Sequence, residues 1–338
     1  YLIERHKKEI FPLMKKRYIF AGVEDFLFYD VWNNGTVNEN VFAYSNKSGS
    51  EYSLVFYNNK YERACGWIKQ SCEYSVKTGS GENDKKLETR SVSEGLGLWG
   101  EDDFYMIFRE QRSNLWYIRK SKEIFENGIF IALNGFETQV FLDIRQEKDT
   151  DGSLGEICDF LNGSGTPDLK IAWQELHYKE LYEAFAKLIE SMKNAEPKSK
   201  KITLKEYKAE IEKPLEDFYK LANIFAEKEF YENIERIEKK EKNAAKNSKS
   251  RAKKKAQKFK SVELPKIILP KKSKDSENDL SLNLSLLELL LPLAENGKTS
   301  EWGLERKISE FLGNENSENE KKEKISEWFK KAFILLEN

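Results

Sequence analysis

Two carboxylates are candidates for acid–base chemistry, because each lies inside an apolar, strand-like segment. Asp30 lies in FLFYDVW and Asp143 lies in VFLDI, in a chain with 58 acidic residues in all. A carboxylate does acid–base work when it is held in place in an unusual environment. A lone acid in a strand more commonly faces solvent or caps a strand edge, and we predict that role for both. No P-loop, GxSxG or HExxH motif occurs, so the sequence predicts no catalytic residue.

Nucleophilic and metal chemistry has few candidate residues. The only histidines, His6 and His177, lie in charged helical segments, and we interpret both as surface side chains. Cys65 and Cys72 do not have the CxxC spacing of a zinc site, and Cys158 is far from both in sequence. We therefore predict three reduced thiols, no metal and no cofactor.

Two tryptophans are candidates for carbohydrate contact, since a flat ring can stack on the apolar face of a pyranose. Trp99 lies in the glycine-rich segment GLGLWGEDD, which is typical of a loop. Trp116 lies in the strand-like segment NLWYIR. Aromatic residues of β domains are usually core residues, and the alternative for both is burial.

A basic run, Lys239–Lys260, is the main candidate for contact with phosphate groups. It contains a single aromatic residue, Phe259, and the chain as a whole has a net charge of −1. Charge runs of this kind are typical of a solvated helix or a linker. Nucleic acid is therefore an alternative partner and not the favoured one.

The elements that position these residues are strands in the first half of the chain. The apolar runs Val41–Tyr44 and Leu54–Tyr57 flank the polar segment Ser45–Glu51, which predicts a hairpin with a longer loop. Because Leu54–Tyr57 is apolar on both pleat faces, we expect it in the centre of a sheet, covered on both sides. Asn134-Gly135 predicts a two-residue type I′ turn, with both residues at positive φ. Short strands without crossover helices predict antiparallel pairing in a β-sandwich.

Helical periodicity dominates after Asp151. The predicted fold class is α+β in two parts, an antiparallel β-sandwich followed by a helical domain. Five segments are predicted: an amphipathic helix (1–22), the sandwich (23–148), a helical region (151–238), a basic linker or charged helix (239–275) and the last helices (276–338). No apolar run reaches the roughly 18 residues of a membrane span, and with no visible signal peptide we expect a cytoplasmic protein.

The first part of the chain resembles the end of the α-amylase family of glycoside hydrolases. The likeness rests on the helix EIFPLMKKRYIF, the strands DFLFYDVW and VFAYSN, and a strand that ends in asparagine, LVFYN. SVKTGSGE, FYMIFREQRSNLWYIR and DFLNGSGTP are similar to a branch of large bacterial members with a helical tail. The resemblance covers about residues 1–190 and implies that 1–22 is the last barrel helix and 23–148 the C-terminal β-sandwich.

The resemblance implies a function that this segment does not perform alone. The family's catalytic carboxylates lie on the barrel, and none of its motifs occurs here, so no catalytic residue is carried over. We expect a non-catalytic C-terminal part of such an enzyme, inactive by itself. Its expected partners are the barrel of the same polypeptide and α-glucan, through Trp99 and Trp116. The alternatives are a protein- or nucleic-acid-binding module that uses the charged tail and, third, an enzyme in its own right.

Overall fold

The computed structural model describes residues 2–79, 81, 84–195, 204–245, 260–263, 265 and 278–312. The chain divides into two compact units, Tyr1–Leu176 and His177–Asn338. Residues 246–259 of the basic run, residues 196–201 of the linker predicted over 194–201, and the last helix, predicted over Lys324–Leu336, lie outside the described residues. Within the described residues, no helix is both long and apolar enough to cross a membrane.

The first unit contains twelve described strands, numbered here in chain order. They are β1 Leu27–Tyr29, β2 Trp32–Asn33, β3 Thr36–Val37, β4 Val41–Ser48, β5 Glu51–Asn58, β6 Ala64–Ile68, β7 Tyr74–Lys77, β8 Lys85–Glu88, β9 Phe104–Glu110, β10 Trp116–Lys120, β11 Ile129–Leu133 and β12 Thr138–Lys148. A six-stranded sheet has the order β1-β4-β5-β12-β9-β10, and a four-stranded sheet has the order β11-β6-β2-β3. All pairs are antiparallel, and β7 and β8 form a separate hairpin.

The helices in the described part of the chain are short around the sheets and longer afterwards. They are α1 Leu2–Arg5, a π-helical turn His6–Ile10, α2 Phe11–Lys15, α3 Tyr18–Ala21, α4 Val92–Gly95, α5 Ser121–Asn127, α6 Ser153–Leu161, α7 Leu169–His177, α8 Lys179–Ala195, α9 Leu204–Ala245, α10 Asn278–Ala294, α11 Lys298–Glu301 and α12 Leu304–Leu312. The predicted class, antiparallel sheets followed by a helical part, is confirmed.

One apolar cluster joins the two sheets and forms the sandwich core. The six-stranded sheet contributes Leu54 and Phe56, and the four-stranded sheet contributes Ile68 and Ile131. Tyr29 is also fully buried, and burial raises the pKa of its phenol to about 12, although a hydrogen bond with Ser45 partly offsets this. Side chains alternate along each strand, so the neighbours of these core residues point outward.

The central hairpin is confirmed, but its strands are longer than predicted. β4 and β5 pair over their full lengths, and only Gly49 and Ser50 separate them. Gly49 has a φ of +61°, which glycine adopts without steric cost. β5 lies third in its sheet, with Leu54 and Phe56 in the core and Val55 on the opposite, covered face.

The predicted type I′ turn at Asn134-Gly135 is wrong. The strands on either side lie in different sheets, β11 against β6 and β12 against β5 and β9. The residue at positive φ is Phe136, at +54°. Glycine is required at 135 for space, because a Cβ there would lie 1.9 Å from the carbonyl oxygen of Tyr61. The Asn-Gly pair that does form a two-residue hairpin, with both φ angles positive, is Asn34-Gly35 between β2 and β3.

Two helical layers cover the outer face of the six-stranded sheet. Ile19 of α3 packs with Val55, Val140 and Leu142. Helices α6 and α7 pack on another part of this face, in a cluster that includes Ile107, Ile118, Ile157 and Ala172. The first unit therefore extends to Leu176, beyond the boundary predicted near 148.

The second unit is a helical assembly with its own core. Glu229 of α9 accepts hydrogen bonds from Tyr178 Oη at 2.6 Å, Trp302 Nε1 at 2.8 Å and Lys298 Nζ at 2.5 Å. Burial and this carboxylate raise the pKa of Tyr178. Fully buried residues from α8, α9, α10 and α12 fill the interior; they include Phe185, Leu188, Phe218, Leu290 and Ile308.

Candidate functional site

Asp143, predicted to face solvent or cap an edge, does neither. β12 lies between β5 and β9, and Asp143 sits where its register with β9 shifts, at a φ of +52°. Its half-buried carboxylate accepts hydrogen bonds from Lys16 Nζ at 2.8 Å and from Arg109 Nε at 2.8 Å. Lys16 also contacts Glu51 at 3.2 Å. The cluster ties the N-terminal helices to the sheet.

This geometry fixes the charge of Asp143. Burial raises the pKa of the carboxyl, but the hydrogen bonds and positive charges of Lys16 and Arg109 outweigh it and hold the pKa below its usual range. A carboxyl group whose pKa is lower in the folded state than in the unfolded state stabilises the fold at pH values above the unfolded-state pKa of about 4. This stabilisation is lost as the pH falls through the folded-state pKa. The cluster is thus a structural ion network and not an acid–base pair.

We expect Asp143→Asn to lower the free energy of unfolding by about 1–2 kcal/mol at neutral pH, because Lys16 and Arg109 lose their half-buried counterion. Asparagine tolerates the left-handed backbone, so strain does not contribute. The loss should shrink in acid as the wild-type carboxyl is protonated. Hydrogen exchange of the β12 amides at pH 7 and pH 3 measures it. Asp102→Asn, which breaks an exposed pair with Lys122, is the control; an equal effect in both variants would contradict the role of Asp143.

The remaining acid, histidine and cysteine candidates form no reactive cluster. Asp30 follows the edge strand β1 and accepts a hydrogen bond from Cys72 Sγ at 3.4 Å. Burial, together with the Asp30 carboxylate, raises the pKa of Cys72, so the thiolate is disfavoured. Cys65 and Cys158 are likewise free thiols, and His6 is exposed. His177 is half-buried, where a surface position was predicted. Among the described residues, no group of acid, histidine or cysteine side chains has the arrangement of a metal site.

The two predicted sugar-contact residues lie in different surroundings. Trp99 is 63% exposed, and its ring lies 5.6 Å from that of Phe104. Trp116 is half-buried, with the guanidinium groups of Arg145 and Arg109 at 5.0 and 5.7 Å from its ring centre. Phe104 and Arg109 point to opposite faces of β9, so the structure does not bring the two tryptophans together. Trp99 is the one with an open ring.

A larger aromatic surface lies on the outer face of the four-stranded sheet. Trp32, Trp67 and Phe130 occupy the adjacent strands β2, β6 and β11 and are direct cross-strand partners, Trp32 opposite Trp67 and Trp67 opposite Phe130. They are 47%, 45% and 52% exposed. The three residues therefore lie in a row across the sheet, which we call the aromatic platform.

The core beneath fixes the orientation of the platform. On β6, Ala64 and Ile68 point into the sandwich, so Trp67 must point out. β2 approaches β6 closely because Gly66 has no side chain; a Cβ there would lie 2.6 Å from the carbonyl oxygen of Trp32. The rings of Trp67 and Phe130 contact each other with centroids 5.3 Å apart and planes inclined at 57°. The ring planes of the platform are therefore inclined to one another and do not form one flat surface.

A polar groove lies beside the platform at the β2–β3 hairpin. It is a shallow, open depression of about 390 Å³, lined by Asn33, Asn34, Thr36, Val37, Asn38, Glu39 and Asn40. Val37 pairs with Trp32, so this amide groove is next to one end of the platform. Asparagine amides donate and accept hydrogen bonds, which suits the hydroxyl groups of a sugar. Aromatic rings and amide groups are therefore adjacent on this face of the sheet.

Sequence analysis missed the platform, although Trp32 lies in FLFYDVW, a segment with the pattern of a strand. One signal was available in the sequence. Trp67 follows the small residues Cys65 and Gly66 and precedes the apolar Ile68, so in an alternating strand Trp67 points outward when Ile68 points into the core. Comparison with protein-family models, with curated proteins and with solved structures found no match to this chain. The resemblance to the α-amylase family therefore stays a prediction.

Proposed function

We propose that the first unit is a non-catalytic, α-glucan-contacting accessory part of an α-amylase-type glycoside hydrolase. The observation that carries the proposal is the aromatic platform, three exposed rings in register on three adjacent strands. Exposed aromatic residues in a row are costly in water and are typical of binding surfaces. The resemblance in the sequence indicates an α-glucan as the ligand. The amide groove provides hydrogen-bonding groups for the hydroxyls of the glucan.

The inclination of the rings favours a curved glucan over a flat one. A ribbon-like polysaccharide presents a planar face, which two rings inclined at 57° cannot both stack against. A helical α-glucan turns from one sugar to the next, so that neighbouring sugars can meet rings of different orientation. The geometry thus supports an α-linked chain as the ligand.

Affinity electrophoresis of the full chain tests the proposal. We expect soluble starch in a native gel to retard the protein and a soluble cellulose derivative to leave its mobility unchanged. The Trp99→Ala variant tests whether binding depends on the exposed ring of Trp99 and not on the platform. We expect starch to retard this variant as much as the wild type. Equal mobility with and without starch would remove the proposed function.

The proposed partner of the N-terminal helices is the catalytic barrel of the same polypeptide. Their sheet-facing side is covered, as described, but the side away from the sheet exposes large apolar residues: Leu2, Ile3, Ile10, Phe11 and Met14. For the amphipathic helix and the chain that follows it, the sequence predicts that Ile3 stays partly exposed and that Phe26, close to the first strand, is buried. Ile3 is 69% exposed, which confirms the first prediction. The second is wrong, because Ile19 fills the sheet-facing position and Phe26 lies on the surface against Tyr44. An apolar face of this extent is suited to a protein surface.

We expect the chain without its barrel to self-associate through this face. Replacing Ile3 and Met14 together by glutamate should weaken self-association by about tenfold or more, since each large apolar side chain contributes about 1.5–3 kcal/mol when buried. Sedimentation velocity across a concentration series measures it. Lys15→Glu, on the same helical segment, is the charge-matched control. A wild-type chain that stays monomeric throughout would count against a missing barrel.

Nucleic acid is the second candidate ligand, because bases also stack on aromatic platforms. Single-strand binders combine such rings with a positively charged groove, whereas the groove here is lined by amides and Glu39. Single-stranded DNA in the same gel separates the two ligands. We also propose the cytoplasm as the compartment, since the three cysteines are unpaired.

A further inference from the structure

A partly open apolar space extends into the sandwich and borders the platform, because Trp67 and Phe130 are among its lining residues. A cavity of about 420 Å³ lies between the two sheets, on the side where α5 connects β10 to β11. Its apolar walls come from both sheets and from α5; they include Phe56, Met106, Phe108, Ile124, Ile131 and Phe141. Protein interiors are otherwise close-packed, and a space of this size matches the range of small-molecule pockets.

One end of the cavity is polar. Arg119, Glu123 and Asn127, from β10 and α5, line this end, whereas Gln139 of β12 lines the cavity elsewhere. Arg119 is half-buried and points inward, because its neighbour Ile118 lies in the cluster on the outer face. Glu123 is on the exposed surface of α5, where water screens its charge. Of the two charged side chains at this end, Arg119 is therefore the one that is shielded from water.

Arg119 keeps donors for a ligand. Its guanidinium donates to the carbonyl oxygens of Ile118 and Gly163, each at 2.8 Å. A guanidinium carries five N–H donors. In the described part of the chain, no carboxylate forms an ion pair with it. Burial lowers the pKa of Arg119, although nearby groups that include the Glu123 carboxylate act in the opposite direction.

We propose that this cavity binds a medium-chain fatty carboxylate, with the hydrocarbon chain between the sheets and the carboxylate on Arg119. Apolar walls repel water and accept the chain. A carboxylate supplies the opposite charge and two acceptor oxygens for the remaining N–H groups. The cavity shares Trp67 and Phe130 with the platform, but fatty carboxylate binding is proposed on Arg119 and the inner walls and does not depend on glucan binding.

Calorimetric titration of the full chain tests this with decanoate and with decanol, which has the same chain and no charge. We expect saturable binding of decanoate and about tenfold weaker binding of decanol, the effect of one charge-assisted contact. Arg119→Gln should weaken decanoate binding by a similar factor and leave decanol unchanged. Arg112→Gln, at an exposed arginine, is the matched control.

A cavity-filling variant locates the ligand. Ile131→Phe should abolish binding of both probes, and Ile129→Phe serves in its place should the first variant not fold. Absence of decanoate binding to the folded wild type would overturn the proposal. So would equal affinity for the two probes, or decanoate binding that Arg119→Gln leaves unchanged.

Discussion

Truncation of Phe56 to alanine is expected to lower the free energy of unfolding of the first unit by about 3–5 kcal/mol. Phe56 lies on β5, in the middle of the six-stranded sheet, and is 0% exposed. Its ring meets that of Phe141 at 6.0 Å, edge to face. Removing the ring loses this contact and enlarges the adjoining cavity, which surrounding strands cannot close.

Hydrogen exchange of the β5 amides is the suitable measurement, because the chain has two units and a global transition need not be two-state. Phe42→Ala is the matched control. Phe42 lies on the paired strand β4 but is on the outer face and partly exposed, so we expect a loss of about 1 kcal/mol or less. If Phe56→Ala cost no more than the control, β5 would not be the centre of the core.

Truncation of Trp67 to alanine is expected to weaken α-glucan binding by about thirtyfold, the equivalent of 2 kcal/mol for a central contact residue. Trp67 is the middle ring of the platform, paired with Trp32 on one side and Phe130 on the other. Its loss breaks the row into two separate rings. Trp32→Ala, at one end, should have a smaller effect.

Titration calorimetry with maltoheptaose measures the affinity, and thermal unfolding shows whether the variant is folded. Trp99→Ala removes an equally large exposed ring far along the chain and should leave the affinity unchanged. Unaltered glucan affinity in Trp67→Ala would mean that the platform does not bind glucan. Equal losses in Trp67→Ala and Trp99→Ala would point to a general loss of structure.

The sequence predicts the sandwich well where its signals are local. The run Leu54–Tyr57 is apolar on both faces, and that is sufficient to place β5 in the centre of a covered sheet. Asn134-Gly135 is also a local signal, yet the tertiary structure overrides it. Glycine there gives room for the backbone of Tyr61, a residue far away in sequence. The same dipeptide at Asn34-Gly35 meets no such neighbour and forms the expected turn.

The candidate site was not predictable because it depends on strand order. The platform residues come from three distant segments, and only the pairing of β2, β6 and β11 places them in one row. Asp143 is a similar case: its partner Lys16 lies on the N-terminal helices, so no spacing in the sequence indicates the ion cluster. Sequence patterns assign a residue to a face, and tertiary pairing decides which residues share it.

Nuclear magnetic resonance of the tryptophan indoles tests the central proposal most directly. The full chain contains seven tryptophans, including the exposed Trp32, Trp67 and Trp99 and the fully buried Trp302. On titration of the ¹⁵N-tryptophan-labelled chain with maltoheptaose, we expect the indole signals of Trp32 and Trp67 to shift together with one Kd, while that of Trp302 stays in place. Saturating maltoheptaose that leaves Trp32 and Trp67 unmoved would contradict α-glucan binding at the platform.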